Sequence, residues 1–196
     1  MRIEVNGVRL FFDVEGAKLV PDGKVMRHPA HPGKLILSST SAAMHRYVER
    51  SVQLFQDKGG PELGAMARHA LGTGFDSNEF AMGWLKAAMP FYNTKPASDP
   101  DASSRTILNI AAMMYVLGPG GESSTFDFLT ALANIQCPTL VLGGEEDPMT
   151  PIEAQADIAA AIPSQLVQFE RVPNTGHGPY RDAPLVYDTM RKFILA

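Results

Sequence analysis

The sequence predicts an α/β fold in which a parallel sheet is interrupted by a long helical stretch. In the last third of the chain, strand-like apolar runs alternate with helix-like segments, over residues 139–144, 150–162, 166–172 and 184–194. A short apolar run at residues 34–39 has the composition of one more buried parallel strand. Residues 42–135 lie between these parts and carry apolar residues at helical spacing. Three parallel strands with an inserted helical region are therefore expected.

An antiparallel hairpin is predicted at the start of the chain. Residues 2–5 alternate polar and apolar side chains, and residues 8–14 are mainly apolar and aromatic. Asn6-Gly7 lies between the two runs, and both residue types tolerate the positive φ angles of a tight turn. Residues 15–33 are rich in glycine and proline, so we expect a loop that leads to the first parallel strand.

Five helices are predicted within residues 42–135. They cover residues 43–58, 61–72, 77–89, 103–117 and 126–134. The methionines and aromatic residues of this region, together with the single tryptophan, Trp84, recur at helical spacing. Most of them are expected to form a hydrophobic core, and the alternative is that some line a substrate pocket.

The end of the chain is predicted to contain two strand–helix pairs. Residues 150–153, Thr-Pro-Ile-Glu, combine a capping box with a proline at the first helical position, so a helix is expected to begin there and to run to residue 162. A strand over 166–172 and a helix over 184–194 follow. Because the connections are short, the strands should be parallel and their crossovers right-handed.

The composition argues against several classes of function. The net charge is −4, from 17 basic and 21 acidic residues without long runs of either sign, so nucleic acid and anionic membranes are not expected as partners. The single cysteine, Cys137, excludes an intrachain disulfide. No apolar run approaches the ~20 residues of a membrane span, and the first residues lack a secretion signal. A cytoplasmic protein is expected.

Asp147 and His177 are the candidate catalytic residues. Asp147 follows the strand over 139–144, and His177 follows the strand over 166–172. The carboxyl ends of neighbouring parallel strands meet at one edge of a sheet, where ligands bind. An aspartate that orients a histidine, and a histidine that takes the proton of a nucleophile, form the acid–base part of a catalytic triad. We therefore expect the two side chains to lie within hydrogen-bond reach.

Several segments resemble the α/β-hydrolase family. Residues 135–147 look like its penultimate strand and acid loop, and residues 174–177 look like its histidine loop. Residues 5–12 are similar to its first hairpin. Residues 28–39 resemble the end of the helix after the nucleophile and the strand that follows it. Residues 55–62 resemble the helical cap of the proline iminopeptidase branch.

The resemblance implies a fold and an activity. The fold would be a partial α/β-hydrolase sheet, formed by residues 1–41 and 136–196, with residues 42–135 inserted as a helical cap. The activity would be hydrolysis of an ester or amide bond, such as the removal of an N-terminal proline. Asp147 would orient the base and His177 would act as the general base. The family implies no cofactor and no metal.

The sequence departs from this family where the nucleophile should be. The family places its serine in a G-x-S-x-G turn and forms its oxyanion hole with an HGG-type loop. Here the one relevant glycine pair, Gly60 and Gly64, has Glu62 at its centre, and His-Gly-Gly does not occur. Between the hairpin and residue 28, about three strand–helix units are missing, on the order of 90 residues at ~30 residues per unit.

Three serines, Ser38, Ser39 and Ser41, are the candidates for a substitute nucleophile. They follow the first parallel strand at the correct edge of the sheet, but their expected role is to cap the helix that begins near Ala42. Cys137 begins a strand at the opposite end and is expected to be buried packing.

His28 and His31 have no acidic or cysteine neighbour, so no metal site is predicted there. The run Gly118-Pro119-Gly120-Gly121 lacks the lysine of a phosphate loop and is expected to end a helix.

Two functions of different class remain open at this stage. The first is a hydrolase remnant that keeps Asp147 and His177 and has little or no activity alone, with a small-molecule or peptide substrate if the missing segment is supplied. The second is a non-catalytic binding or assembly module that associates with itself or a partner through exposed sheet edges. A third alternative is an active hydrolase whose central segment is absent from this sequence.

Overall fold

The computed structural model describes residues 32–96 and 109–196, together with the backbone of two short strands near the start of the chain. Those strands are β1 (Arg2–Val5) and β2 (Val8–Phe11). They pair antiparallel, with Arg2 opposite Phe11 and Val5 opposite Val8. The predicted hairpin is confirmed, and it forms a sheet of its own. The turn at residues 6–7 and the predicted loop up to residue 31 lie outside the described residues.

Three parallel strands form the second sheet. They are β3 (Leu35–Ser38), β4 (Thr139–Gly144) and β5 (Val167–Val172), in the order β3-β4-β5. Leu35 lies beside Thr139, and Thr139 lies beside Val167, so all three strands begin at the same level. Every residue of the central strand β4 is buried. The prediction of three neighbouring parallel strands is confirmed.

The helical segment, residues 42–135, follows the prediction at its first break and differs from it at the last helix. Helix α1 (Val48–Arg68) consists of two helical parts separated at Gly60, whose φ of 86° is not helical, so the predicted break at the glycine pair and the new start at Pro61 are confirmed as a kink. Helices α2 (Asn78–Ala88) and α3 (Ile110–Leu117) follow. The last predicted helix is a 3₁₀ helix, Thr130–Asn134. The start of the fourth predicted helix, residues 103–108, lies outside the described residues.

The described core falls into separate clusters. One lies within the helical segment and is centred on Phe55 and Trp84, whose rings meet edge to face at 5.0 Å. The other two clusters lie on opposite faces of the sheet, because Val141 points into one and Leu140 and Leu142 point into the other. Most of the methionines and aromatics of the helical segment therefore do form core, as expected.

Helices cover both faces of the three-stranded sheet. Helix α4 (Ile152–Ala161) packs on the face of Val141, and helix α6 (Val186–Leu195) packs on the other face. The short helix α5 (Pro179–Asp182) lies between the last strand and α6. None of the helices in the described part of the chain combines the length and apolar character that crossing a membrane requires.

Candidate active site

Asp147 is held by the residues that follow it. Its side chain is fully buried in the loop between β4 and α4. The oxygen Oδ1 accepts hydrogen bonds from the backbone N–H groups of Met149 and Thr150, at 2.8 and 2.9 Å. The oxygen Oδ2 accepts a hydrogen bond from the Thr150 hydroxyl, at 2.7 Å. Four-residue turns closed by an aspartate in this way are common, and this one fixes the carboxylate locally.

The role predicted for Thr150 is therefore wrong. Its hydroxyl was expected to cap helix α4, but it donates to Asp147 instead. Pro151 takes the N-cap position, and no side chain caps the helix. The physical reason is that a buried carboxylate without donors is costly, so the hydroxyl donates to Asp147 rather than accepting from the helix.

His177 reaches Asp147 as predicted. Its Nδ1 lies 3.0 Å from Oδ2 and 3.2 Å from Oδ1 of that carboxylate. Because an ionised carboxylate only accepts, Nδ1 carries the proton and Nε2 is left as the acceptor of the neutral ring. The His177 side chain is 33% exposed, whereas Asp147 is completely buried. This is the arrangement in which a histidine can take a proton from a third group.

Two glycines let the acid and histidine loops touch. Gly144 ends β4 and Gly176 precedes His177; a Cβ on Gly144 would overlap the carbonyl oxygen of Gly176. Backbone bonds join the loops on either side of this point: the N–H of Glu145 donates to the Val172 carbonyl at 3.1 Å. The contact between Asp147 and His177 therefore depends on a close backbone approach that a side chain would prevent.

The helical segment holds the histidine loop from the other side. The segment that follows α2 donates to and accepts from this loop through Tyr92, Asn93 and Thr94. The His177 N–H donates to the Tyr92 carbonyl at 2.6 Å, and the Gly178 N–H donates to Asn93 Oδ1 at 2.9 Å. The Tyr92 ring also meets the His177 ring edge to face, with centroids 5.7 Å apart. No sequence signal pointed to these residues, because they lie at least 80 positions from the loop they bind.

Tyr92, whose ring contacts the His177 ring, carries a neutral hydroxyl. Burial raises the pKa of its phenol to about 12, and the negative charge of Asp147 acts in the same direction. The hydroxyl accepts a hydrogen bond from Trp84 Nε1 at 3.2 Å. The phenol therefore stays protonated at neutral pH.

The serines considered as substitute nucleophiles behave differently from one another. The Ser41 hydroxyl accepts from the Ala43 N–H at 3.1 Å, just before the first 3₁₀ helix, close to the expected capping role. Ser38 and Ser39 do not cap a helix: their hydroxyls are buried and have no hydrogen-bond partner among the described residues. Ser39 also has a φ of 48°, which is unfavourable for a residue with a Cβ.

Of the remaining candidates, Cys137 does not contribute to the site. Cys137 is buried in the sheet core with a free thiol, as expected. His28 and His31 lie outside the described residues. Within residues 32–96 and 109–196, no group of three or more histidine, cysteine, aspartate or glutamate side chains is placed to hold a metal ion.

A small apolar pocket lies between the helical segment and the acid loop. Its apolar lining consists of Met44, Val48, Ala70, Leu71, Leu117 and Met149. Met149 is two residues from Asp147 and donates its N–H to that carboxylate. The pocket therefore shares a loop with the candidate acid, and two methionines, Met44 and Met149, line it.

The sequence matches a known family, and the structure matches known proteins. Residues 34–184 match the family described as "alpha/beta hydrolase fold". The fold is similar to the proline iminopeptidase of Mycobacterium smegmatis, with a TM-score of 0.60 and 21% identity, covering 87% of this chain and 60% of that one. It is also similar to a thermophilic esterase, with a TM-score of 0.56 and 16% identity, covering 87% of this chain and 59% of that one.

A further similar structure is the esterase EaEST of Exiguobacterium antarcticum, with a TM-score of 0.56 and 15% identity, covering 89% of this chain and 63% of that one. The chain thus spans about three fifths of the length of these proteins. A comparison of the sequence with curated proteins finds no match.

Proposed function

Because this chain belongs to the alpha/beta hydrolase fold family, we propose that Asp147 and His177 are the acid and the general base of an ester or amide hydrolase. The observation that carries the proposal is the 3.0 Å contact between His177 Nδ1 and Asp147 Oδ2. With its Nδ1 proton held by the carboxylate, the ring presents Nε2 to a nucleophile and takes its proton. The buried carboxylate then stabilises the imidazolium that forms.

The substrate class proposed is an ester or an N-terminal proline peptide. The likeness to a proline iminopeptidase and to two esterases supports this choice. We further propose that residues 42–135 are a cap over the site and that residues 1–41 and 136–196 are the remnant of the hydrolase core. The separate core cluster of the helical segment and its pocket beside Met149 support that division.

We also propose that this chain alone catalyses little or no hydrolysis. The sequence lacks both the serine turn and the HGG-type oxyanion loop. In subtilisin, loss of the nucleophile costs ~2 × 10⁶ in turnover, and the remaining rate depends on the oxyanion hole and binding. Asp147 and His177 can supply neither. The pair would therefore act only when the missing elements are supplied.

A second candidate function, an assembly module, is favoured by the open side of β3. In the described part of the sheet, β3 pairs with β4 alone, and all four of its residues are half-buried. The buried hydroxyls of Ser38 and Ser39 lie at the end of this strand without a partner among the described residues. Unpaired strand edges recruit other chains, so we expect the isolated chain to self-associate.

One set of measurements tests both functions. The chain and its His177→Ala variant are assayed with p-nitrophenyl esters and proline arylamides, and their masses in solution are determined by light scattering. We expect equal background rates, no labelling by a fluorophosphonate, and dimers or larger species. The intact mass of the protein purified from its natural source tests directly whether the missing segment is present there.

A monomer whose ester turnover disappears in His177→Ala would contradict the expected inactivity. That outcome would require a substitute nucleophile, and Ser39→Ala would then be the decisive variant. Ester turnover above the background rate that is the same in the chain and in His177→Ala would instead contradict the role proposed for the histidine.

A further inference from the structure

Asp182 is a second buried carboxylate close to the histidine loop. It lies at the end of helix α5, five residues after His177, and its side chain is fully buried. Oδ2 accepts hydrogen bonds from the N–H of Gly176 at 2.8 Å and from the N–H of Thr94 at 2.9 Å. The same oxygen accepts from the Thr94 hydroxyl at 3.1 Å, and Oδ1 accepts from the Lys95 N–H at 3.3 Å.

These hydrogen bonds connect two distant parts of the chain. Gly176 directly precedes the candidate base, whereas Thr94 and Lys95 end the segment that follows α2. The Lys95 ammonium also donates to the backbone carbonyl of Asp182. Asp182 is thus the point at which the histidine loop, helix α5 and the helical segment are joined.

The charge of Asp182 matters for this junction. Burial alone would raise the pKa of its carboxyl, but the hydrogen bonds from Gly176, Thr94 and Lys95 outweigh burial and lower the pKa below its ordinary value. The carboxylate is therefore the stable form at neutral pH. An amide side chain could not replace it, because its NH₂ group would face backbone N–H donors.

The histidine depends on this junction because its ring and its backbone N–H are both held from outside its own loop. Its ring contacts Asp147, but its backbone N–H donates to the Tyr92 carbonyl, which belongs to the segment that Asp182 fixes. Movement of either Gly176 or the Tyr92 segment would shift the ring relative to Asp147. A misplacement of about 1 Å is enough to cost a catalytic group most of its effect.

We propose that Asp182 is a positioning residue for His177, fixing the histidine loop to the Tyr92–Lys95 segment and thereby setting the contact between His177 and Asp147. The inference rests on the proposed role of His177 as the base. It is tested without turnover, so the absence of hydrolysis does not affect it.

The experiment compares amide hydrogen exchange at two loops of the same molecule. In Asp182→Asn, exchange at Gly176, His177 and Gly178 should accelerate at least about tenfold relative to wild type. Exchange at Met149 and Thr150 of the acid loop should stay within about twofold, because those amides are held by Asp147 alone. The downfield proton resonance of His177 Nδ1–H, bonded to Asp147, should weaken or disappear together with the histidine-loop protection.

Two further variants make the result decisive. Asp188→Asn makes the same charge change on an exposed residue of α6 and should alter neither loop. Thr94→Val removes a hydroxyl that lies 3.1 Å from Asp182 Oδ2 and 2.7 Å from the Asn174 carbonyl oxygen of the histidine loop. It keeps the N–H that donates to Asp182 and should give a smaller change of the same selectivity, so it serves if Asp182→Asn does not fold. If amide exchange in Asp182→Asn accelerated equally in the acid loop and the histidine loop, the role of Asp182 would be merely structural, and the proposal would be overturned. Unchanged protection of the histidine loop in the folded variants would overturn it as well.

Discussion

The acid loop and the histidine loop end neighbouring strands, yet they are built in opposite ways. Asp147 receives its hydrogen bonds from Met149 and Thr150, within three residues of itself. The histidine loop is held by Tyr92, Asn93 and Thr94, at least 80 residues earlier in the chain. The acid is therefore fixed by local structure, and the base is fixed by the packing of the helical segment against the sheet. A change in the helical segment should reach the base and leave the acid in place.

The largest effect is expected from Gly176→Ala. Gly176 lies where the two loops and the helical segment meet, and a Cβ there would overlap the Tyr92 carbonyl and the Asn93 backbone. Because backbone atoms cannot move aside cheaply, we expect a loss of about 3 kcal/mol in the free energy of unfolding. Urea denaturation measures this loss, and loss of the His177 Nδ1–H resonance should accompany it.

Gly83→Ala is the matched control for that variant. Gly83 lies in helix α2, and a Cβ added there meets no atom within 4 Å. Alanine should therefore leave stability unchanged or raise it by up to about 1 kcal/mol, since it restricts the unfolded chain. If the two variants lose equal stability, the close approach at Gly176 is not what holds the loops together.

A smaller effect is expected from Thr150→Val. The substitution removes the hydroxyl that donates to the buried Asp147 carboxylate at 2.7 Å and keeps the shape of the side chain. A lost hydrogen bond to a buried charge predicts a loss of about 2 kcal/mol. Thermal unfolding against the exposed Thr130→Val measures it. Because the hydrogen bonds of the acid loop are local, amide exchange in the histidine loop should not accelerate more than amide exchange in the acid loop. A larger acceleration in the histidine loop would contradict the contrast between the two loops.

The smallest effect is expected in the acid limb of the pH–stability curve. The folded-state pKa of Asp182 is lowered, so its carboxylate contributes stability above the unfolded-state pKa of about 3.9. That contribution is lost as the pH falls from there through the folded-state pKa. Wild type should therefore lose more stability than Asp182→Asn between about pH 4 and the acid transition. Urea titrations at several pH values measure the free energy of unfolding of both proteins. If it falls equally with pH in wild type and in Asp182→Asn, Asp182 does not contribute to stability.

The same contrast explains how far the sequence predicted the site. The three parallel strands, the position of Asp147 after β4 and that of His177 after β5 follow from short-range patterns, so both side chains could be placed at one edge. The hydrogen bonds from the histidine loop to Tyr92 and Asn93, and those from the Thr94 segment to Asp182, join positions far apart in the chain, and no local pattern encodes them. Even the local error at Thr150 has this origin, because the burial of Asp147 decides which partner the hydroxyl takes.

The break in α1 could be predicted because its signal is local. Glycine and proline at positions 59–61 normally end a helix, and Gly60 does leave the helical conformation with a positive φ. Residues beyond it, including Leu63 and Ala67, pack into the same core as Phe55. This shared core, which the sequence pattern does not reveal, keeps the two helical parts together across the kink.

The register of the three-stranded sheet also bears on the path by which the chain folds. Strands β4 and β5 pair across one short crossover, whereas pairing β3 with β4 brings Leu35 beside Thr139 and closes a loop of roughly 100 residues. Closure of so long a loop slows the search for the native contact. We therefore expect refolding in two phases, with the β4–α4–β5 unit first and the docking of β3 later. During the interval between them, one side of β4 is free to pair with another molecule, so misassembly should grow with protein concentration.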